Sequence, residues 1–272
     1  MSSRIHSTAV VDPAARIGQD VEIGPGAVVE ADTVIGDGCW LMGMSIVRRW
    51  TTLGEANVVH PFAALGGEPQ DYGHDPAVRS FCRIGSRNVF REGATVNRGT
   101  GPDAVTTVGD DNYFMTAAHV GHNCLVGSRC IMVNGSALGG YAELADRAIL
   151  SAHTCVHQHC WIGTMVMSAG NLVATKHLPP YCMLGKTNLV VGLNRVGLTR
   201  AKHLTDEDRH QIAEAYRLLY RSGLPTTKAL AQMEARTDWG PAASLMRQFV
   251  RRALDAPPPY NRGILTAHAE RR

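Results

Sequence analysis

The chain has 272 residues, of which 44% are hydrophobic, and its formal net charge at pH 7 is only +3. This length allows one large core or two modules, and the near-even charge gives no argument for nucleic-acid binding. No stretch approaches the ~18 apolar residues of a membrane span, and the N-terminus lacks an apolar signal region. We therefore expect a cytoplasmic protein with no membrane insertion.

An aliphatic residue recurs at every sixth position through most of the first 174 residues. The first rungs of this ladder are Ile5, Val11, Ile17, Ile23, Val29, Ile35, Leu41, Val47, Leu53, Val59 and Leu65, and later rungs run from Ile84 to Ile162. Such a hexapeptide repeat is the signature of a parallel β-helix. Three hexads form one coil, so residues 18 apart should stack.

Two segments interrupt the ladder. Residues 66–83 are rich in Gly and Pro and predict a loop, in which Gln70 and Asp71 are candidate functional residues because function concentrates on such loops. Residues 101–107 form a second excursion, after which the ladder resumes in phase.

Four of the seven cysteines occupy one recurring position, the small-residue position four after a rung. They are Cys39, Cys124, Cys130 and Cys160. There is no C-x-x-C pair, so these thiols are expected to be buried small hydrophobes and not metal ligands or disulfides.

Near Pro179-Pro180 the repeat ends and the pattern becomes helical. Residues 204–220 predict an amphipathic helix with a capping box formed by Thr205 and Asp208. Shorter helices are expected at 226–236 and 241–254. The predicted domains are therefore a β-helix over 1–190 and a helical domain over 191–272.

Histidine is concentrated in the last coils, at His119, His122, His153, His157 and His159. Adding 18 places Gly140 over His122, and adding 18 again places Gln158 over Gly140. A His base beside an exposed Gly N–H suits acyl transfer, because the imidazole removes a proton and the amide meets the developing oxyanion.

Two other readings of the histidines stay open at this point. A single His at a coil corner is usually a solvated or hydrogen-bonded residue. The pair His119 and His122 also has a spacing compatible with metal binding, as in a trimeric zinc lyase, although no Cys or acidic residue completes a ligand set. A non-catalytic trimeric scaffold is the further alternative.

Several motifs resemble the UDP-N-acetylglucosamine acyltransferases that begin lipid A synthesis. These lie at 70–71 (QD), 87–92 (RNVFRE), 97–100 (NRGT), 119–124 (HVGHNC), 156–158 (VHQ), 179–181 (PPY), 216–223 (YRLLYRSG) and 261–265 (NRGIL). The resemblance covers nearly the whole chain. It implies a mainly β, left-handed parallel β-helix with a C-terminal α-helical domain, assembled as a homotrimer with active sites between subunits.

The resemblance also implies the chemistry. A 3-hydroxyacyl group would pass from the phosphopantetheine of acyl carrier protein to the 3-hydroxyl of UDP-N-acetylglucosamine, without metal or cofactor. His122 matches the general base and Gly140 the oxyanion donor. Substrate contacts are expected from Gln70, Asp71, His119, Tyr141, His157, Gln158, Asn194 and Arg200, and Gly170 lies where acyl length is measured.

Four positions depart from the family pattern. Asn123 stands where an Asp usually follows the base, and Tyr141 where a second active-site His is usual. Val196 replaces an acidic residue near the nucleotide, and Gly73 replaces a Lys after the loop Asp. These changes keep open an alternative, a paralogous enzyme that acylates a different nucleotide sugar or an amino-sugar analogue.

Overall fold

A computed structural model describes residues 3–267 of the chain. Most of these residues form short strands that are wound into a parallel β-helix with three sheets. The strands before the first excursion are β1 (Arg4–Ile5), β2 (Val10–Val11), β3 (Arg16–Ile17), β4 (Glu22–Ile23), β5 (Val28–Val29), β6 (Val34–Ile35), β7 (Trp40–Leu41), β8 (Ile46–Val47), β9 (Thr51–Leu53), β10 (Val58–Val59) and β11 (Ala64–Gly67). Those between the two excursions are β12 (Phe81–Ile84), β13 (Val89–Phe90) and β14 (Thr95–Asn97).

The remaining coils contain β15 (Val105–Val108), β16 (Tyr113–Phe114), β17 (His119–Val120), β18 (Leu125–Val126), β19 (Ile131–Met132), β20 (Ala137–Leu138), β21 (Glu143–Leu144), β22 (Ile149–Leu150), β23 (Cys155–Val156), β24 (Trp161–Ile162), β25 (Met167–Ser168) and β26 (Val173–Ala174). The C-terminal elements are β27 (Cys182–Lys186), β28 (Leu189–Leu193), α1 (Arg195–Arg200), α2 (Asp206–Tyr220), α3 (Thr226–Ala235), α4 (Pro241–Leu254) and β29 (Thr266–Ala267).

Successive strands pass from one sheet to the next, so each strand up to β23 pairs with the third strand after it. Sheet A runs from β1 to β29, sheet B from β2 to β26, and sheet C from β3 to β24. In an uninterrupted coil, Val28 pairs with Ile46 and Ala137 with Cys155. The stacking interval of 18 residues is therefore confirmed.

The ladder residues fill the interior of the β-helix. Leu41, Val47, Val59, Leu65 and Leu138 are all fully buried, and each such side chain contributes roughly 1.5–3 kcal/mol by leaving water. The first rung, Ile5, lies in the terminal coil and is 49% exposed, because no preceding coil covers it.

The four predicted cysteines are buried as expected. Cys39, Cys124, Cys130 and Cys160 are each at most 1% exposed, and burial raises the pKa of Cys124 to about 12. Its Sγ lies 3.1 Å from the carbonyl oxygen of Gly139 and donates to it. These thiols pack the corners of the coils.

A ladder of buried asparagines spans the coils on either side of the excursions. The backbone N–H of Asn88 donates to Asn57 Oδ1 at 2.9 Å, and Asn88 Oδ1 accepts from the Asn112 N–H at 2.9 Å. Asn112 Oδ1 in turn accepts from the Cys130 N–H at 2.7 Å. The amides thus satisfy corner backbone groups that would otherwise be buried without partners.

The first excursion is shorter than the sequence suggests, because the flanking strands extend into it, while the second keeps its length and begins three residues earlier. The first covers residues 68–80, since β11 ends at Gly67 and β12 begins at Phe81; the second covers 98–104. The stacking interval becomes 31 residues across the first excursion, as in Val58 with Val89, and 24 across the second, as in Thr95 with His119.

The predicted C-terminal helices are confirmed, as is the capping box of Thr205 and Asp208 at the start of α2. The strands β27 and β28 form an antiparallel hairpin that covers the last coil of sheet A. Helix α4 packs beside sheet C, where Arg252 forms two hydrogen bonds with Glu143 (2.5 and 2.6 Å) and lies 3.7 Å from the centre of the Trp161 ring. None of the helices described in 3–267 has the length and apolar character to cross a membrane.

Candidate active site

A groove of about 410 Å³ lies along the corner between sheets B and C, beside the loop of the first excursion. It is lined by Gln70, Asn97, His119, Gly121, His122, Ala137, Leu138, Gly139, Gly140, Cys155, Val156, His157 and Gln158. Six of the residues expected to act on substrate therefore meet in one cavity: Gln70, His119, His122, Gly140, His157 and Gln158.

The predicted column of His122, Gly140 and Gln158 is present at this corner. The His122 ring lies directly against Gly140, and a Cβ placed on Gly140 would be 2.5 Å from His122 Nε2. Only glycine leaves room for the imidazole in this position, because real Cβ contacts do not fall below 3.0 Å.

The neighbouring residue Asn123 fixes the proton on the His122 ring. Asn123 Oδ1 accepts a hydrogen bond of 2.9 Å from the backbone N–H of Thr100, which can only donate. The same oxygen lies 2.9 Å from His122 Nδ1, so Nδ1 must carry the hydrogen. The unprotonated Nε2 of the neutral ring therefore points into the groove beside Gly140.

The backbone N–H of Gly140 is free to receive an oxyanion. The adjacent Gly139 N–H donates to Val156 O and the Tyr141 N–H donates to His122 O, both at 2.9 Å. In the described part of the chain, the Gly140 N–H itself makes no backbone hydrogen bond. One unused donor thus lies next to His122 Nε2, an arrangement that suits oxyanion stabilisation.

His119 lies on β17, on the wall of the groove. Its Nδ1 is 2.8 Å from Thr95 Oγ1, one coil away. Burial, with a smaller contribution from nearby His122, holds the pKa of His119 below its ordinary value. His119 is therefore suited to hydrogen bonding as a neutral ring.

An aromatic row leads from the groove to the C-terminal segment. Tyr141 meets His122 edge-on, with ring centres 5.3 Å apart, and stacks on His159 at 4.8 Å. His159 in turn contacts Tyr260 at 5.1 Å. Burial lowers the pKa of His159, helped by the charge of Arg262. Tyr141 thus packs against the His122 ring.

Five predicted residues do not line this groove: Tyr141, which packs against His122, and Asp71, Gly170, Asn194 and Arg200. Asp71 follows Gln70, but its Oδ1 accepts the Gly73 N–H at 2.8 Å in a local turn. Gly170 lies in the turn between β25 and β26. Asn194 caps α1, with its Oδ1 accepting the Gly197 N–H and its Nδ2 donating to Met165 O. Arg200 is exposed at the end of α1.

Further residues of the site were not predicted from the sequence. Asn97 lines the groove, and Thr95 contacts His119 from outside its lining. They lie one coil before Gly121 and His119, and the missing rung at position 102 could have revealed both, because it implies an interval of 24. Cys155 is the exposed cysteine and lies on the floor of the groove. It pairs with Ala137 at the regular interval of 18, which could have located it.

The described residues contain no group of three or more His, Cys, Asp or Glu side chains arranged to hold a metal ion. His119, His122 and His157 line the groove, but they are not such a group. The donors present fit proton transfer and hydrogen bonding.

Comparison with known proteins identifies close relatives of this architecture. A family model described as domain 2 of UDP N-acetylglucosamine O-acyltransferase matches residues 178–265. The acyl-[acyl-carrier-protein]--UDP-N-acetylglucosamine O-acyltransferase of Stenotrophomonas maltophilia (strain R551-3) is 37% identical over 253 residues, covering 92% of this chain and 95% of the relative. The protein of the same name from Janthinobacterium sp. (strain Marseille) is 36% identical, covering 97% and 99%.

A solved structure shows the same fold. The Francisella novicida UDP-N-acetylglucosamine acyltransferase superposes with a TM-score of 0.87 at 32% identity, covering 98% of this chain and 95% of that one. The expected left-handed parallel β-helix with C-terminal helices is confirmed.

Proposed function

The chain belongs to the acyl-[acyl-carrier-protein]--UDP-N-acetylglucosamine O-acyltransferase family, and we propose that it moves a 3-hydroxyacyl group to the 3-hydroxyl of UDP-N-acetylglucosamine with His122 as general base. The observation that carries the proposal is the packing of the His122 ring on Gly140, with Nδ1 held by Asn123. The reaction would be the first step of lipid A synthesis, in the cytoplasm.

The proposed steps follow from the hydrogen bonds. His122 Nε2 accepts the proton of the sugar hydroxyl while the hydroxyl oxygen attacks the thioester carbonyl carbon. The new C–O bond creates an oxyanion, to which the Gly140 N–H donates. Collapse breaks the C–S bond, and Nε2 returns its proton to the thiolate. Such a base contributes about 10²–10⁴ in rate, and one oxyanion donor contributes about 2.7–4 kcal/mol.

The acyl donor in this proposal is acyl carrier protein, and its thioester supplies the activation. No cofactor is then needed, because the leaving thiolate drives the collapse. Gln70, Asp71, His119, Tyr141, His157 and Gln158 would contact the nucleotide sugar or shape its pocket, and Gly170 would limit the acyl chain.

We propose that the working form is a homotrimer. Asn194 caps α1 and Arg200 ends it, and neither lines the groove of its own chain. In a trimer they would reach the groove of a neighbouring subunit and contact the nucleotide or the phosphopantetheine. The β-helix, 1–190, would then supply the base, and the helical domain, 191–272, the neighbour's contacts.

The proposal is tested with purified protein, 3-hydroxyacyl carrier proteins of several chain lengths and UDP-N-acetylglucosamine, with the product measured by mass spectrometry. His122→Ala should reduce kcat by about 10²–10⁴. Gly140→Ala should also abolish most activity, because its Cβ would displace the ring. His153→Asn is the matched control: His153 lies outside the groove and has a φ of 54° that Asn tolerates.

Two results would decide against the proposal. Absence of turnover with every chain length contradicts the activity. Full activity of His122→Ala contradicts the role of the base. Turnover only with the 3-amino analogue of the sugar would identify the alternative acceptor.

A further inference from the structure

The stretch Asn97–Thr100 matches a family motif, yet only Asn97 of its members lines the groove. Arg98 is the largest of the fully buried side chains in the described structure, with 1% exposure. Burial holds the pKa of its guanidinium below the ordinary value. A buried cation rarely adds stability, because its desolvation offsets its ion pairs. The burial of Arg98 is therefore better explained by a role in holding other groups in place.

The guanidinium of Arg98 contacts two parts of the first-excursion loop. Its Nη2 is 3.7 Å from Glu68 Oε1 and 3.4 Å from His74 Nε2. The guanidinium carbon also lies 5.2 Å from the centre of the Trp50 ring on the preceding coil. One side chain thus connects the start and the middle of the loop to the body of the β-helix.

Hydrogen bonds from the same stretch fix the start of the loop. The Arg98 N–H donates to Gly67 O at 2.8 Å, and Asn97 Nδ2 donates to Glu68 O at 2.7 Å. Between the contacts at Glu68 and His74 lie residues 69–73, which include Gln70 in the groove wall and the exposed Tyr72. The position of this segment therefore depends on the two ends that Arg98 holds.

The other end of the stretch reaches the base. The Thr100 N–H donates to Asn123 Oδ1, which also holds His122 Nδ1. A segment of four residues therefore contacts the loop on one side of the groove and, on the other side, the Asn123 side chain that holds the imidazole.

We propose that Arg98 is a positioning residue that holds residues 68–74 against the groove, so that Gln70 and Asp71 meet the nucleotide sugar. This inference rests on the proposed function, because it assigns the sugar side of the groove to that loop. Arg98 itself touches neither substrate nor base.

The test compares Arg98→Met with Arg83→Met, which removes an exposed arginine on β12 at the far end of the loop. Arg98→Met should raise KM for UDP-N-acetylglucosamine by about tenfold, the scale of a lost charged hydrogen bond. The kcat and the KM for the acyl donor should change less than about threefold, since the base is untouched. Arg98→Lys keeps the charge but not the planar guanidinium with its several N–H donors, so its KM should lie between those of the wild type and Arg98→Met.

A second readout does not depend on catalysis. Chymotrypsin cleavage after Tyr72 should be several-fold faster in Arg98→Met than in the wild type or Arg83→Met. If Arg98→Met fails to fold, Glu68→Gln replaces it, because Glu68 is exposed and supplies the other half of the contact. Glu68→Gln should shift KM and cleavage in the same direction.

Three results would overturn the inference. These are an unchanged KM, a raised KM with unchanged cleavage, and a fall in kcat alone. A wild-type protein with no turnover would contradict the proposed function, while the cleavage comparison would still decide whether Arg98 holds the loop.

Discussion

Replacing Asn123 by aspartate tests how His122, the proposed base, is oriented. The amide oxygen of Asn123 holds Nδ1–H of His122 at 2.9 Å and is itself fixed by the Thr100 N–H. Asn123→Asp keeps an acceptor in the same place and adds a negative charge. Both residues tolerate the φ of 59° at this corner, so the change is electrostatic and not conformational.

The expected size follows from the short distance. Two unit charges about 4 Å apart interact by about 4 kcal/mol at an effective dielectric constant of 20, and an open groove reduces this. An opposite charge at such a distance typically shifts the pKa of its neighbour by about 1–3 units in favour of the charged form. Because the new carboxylate favours the protonated His122 ring, the acidic limb of the pH profile of kcat/KM should move to higher pH by that amount. Activity at a given pH on this limb should therefore fall.

The assay is the pH profile of kcat/KM for Asn123→Asp beside Asn123→Gly. Glycine removes the amide without straining the left-handed backbone. It should reduce kcat by about tenfold, the value of one hydrogen bond to a reacting group, and leave the acidic limb in place. If Asn123→Asp leaves the limb unmoved, the side chain at 123 does not contact the base and the assigned tautomer is wrong.

Two further predictions concern stability. Asn88→Ala should lower the free energy of unfolding by about 1–3 kcal/mol, because the buried Asn112 N–H loses its acceptor; urea denaturation with a loss below about 0.5 kcal/mol would contradict this. His177 is buried, and burial lowers its pKa. Its Nδ1 accepts a hydrogen bond from the backbone N–H of Trp161, and its Nε2–H donates to the carbonyl oxygen of Tyr260. The contribution of neutral His177 to the free energy of unfolding is thus fully present above its pKa in the unfolded chain, about 6.5. It is lost as the pH falls through the lower pKa of the folded state, by at most about 1.4 kcal/mol per pH unit. His177→Gln should flatten this slope in denaturation curves at pH 5–8, and an unchanged slope would exclude His177 as its source.

The repeat made part of the site predictable. Since every regular coil contains three hexads, counting by 18 brought His122, Gly140 and Gln158 together, and the structure has them so. The same counting assigned Cys124 and its counterparts to the interior. The helices were predictable for a different reason, because their caps and apolar faces are local.

By itself, then, the sequence determined the fold, the stacking interval and the column that contains His122, because each follows from a repeat carried by neighbouring residues along the backbone. Only the tertiary structure decided how Asn123 is held by Thr100, and how Arg98 reaches Glu68 and His74. These contacts cross the two excursions, where the interval changes to 31 and 24. The conformation of an irregular loop depends on side chains distant in sequence, and no period specifies it.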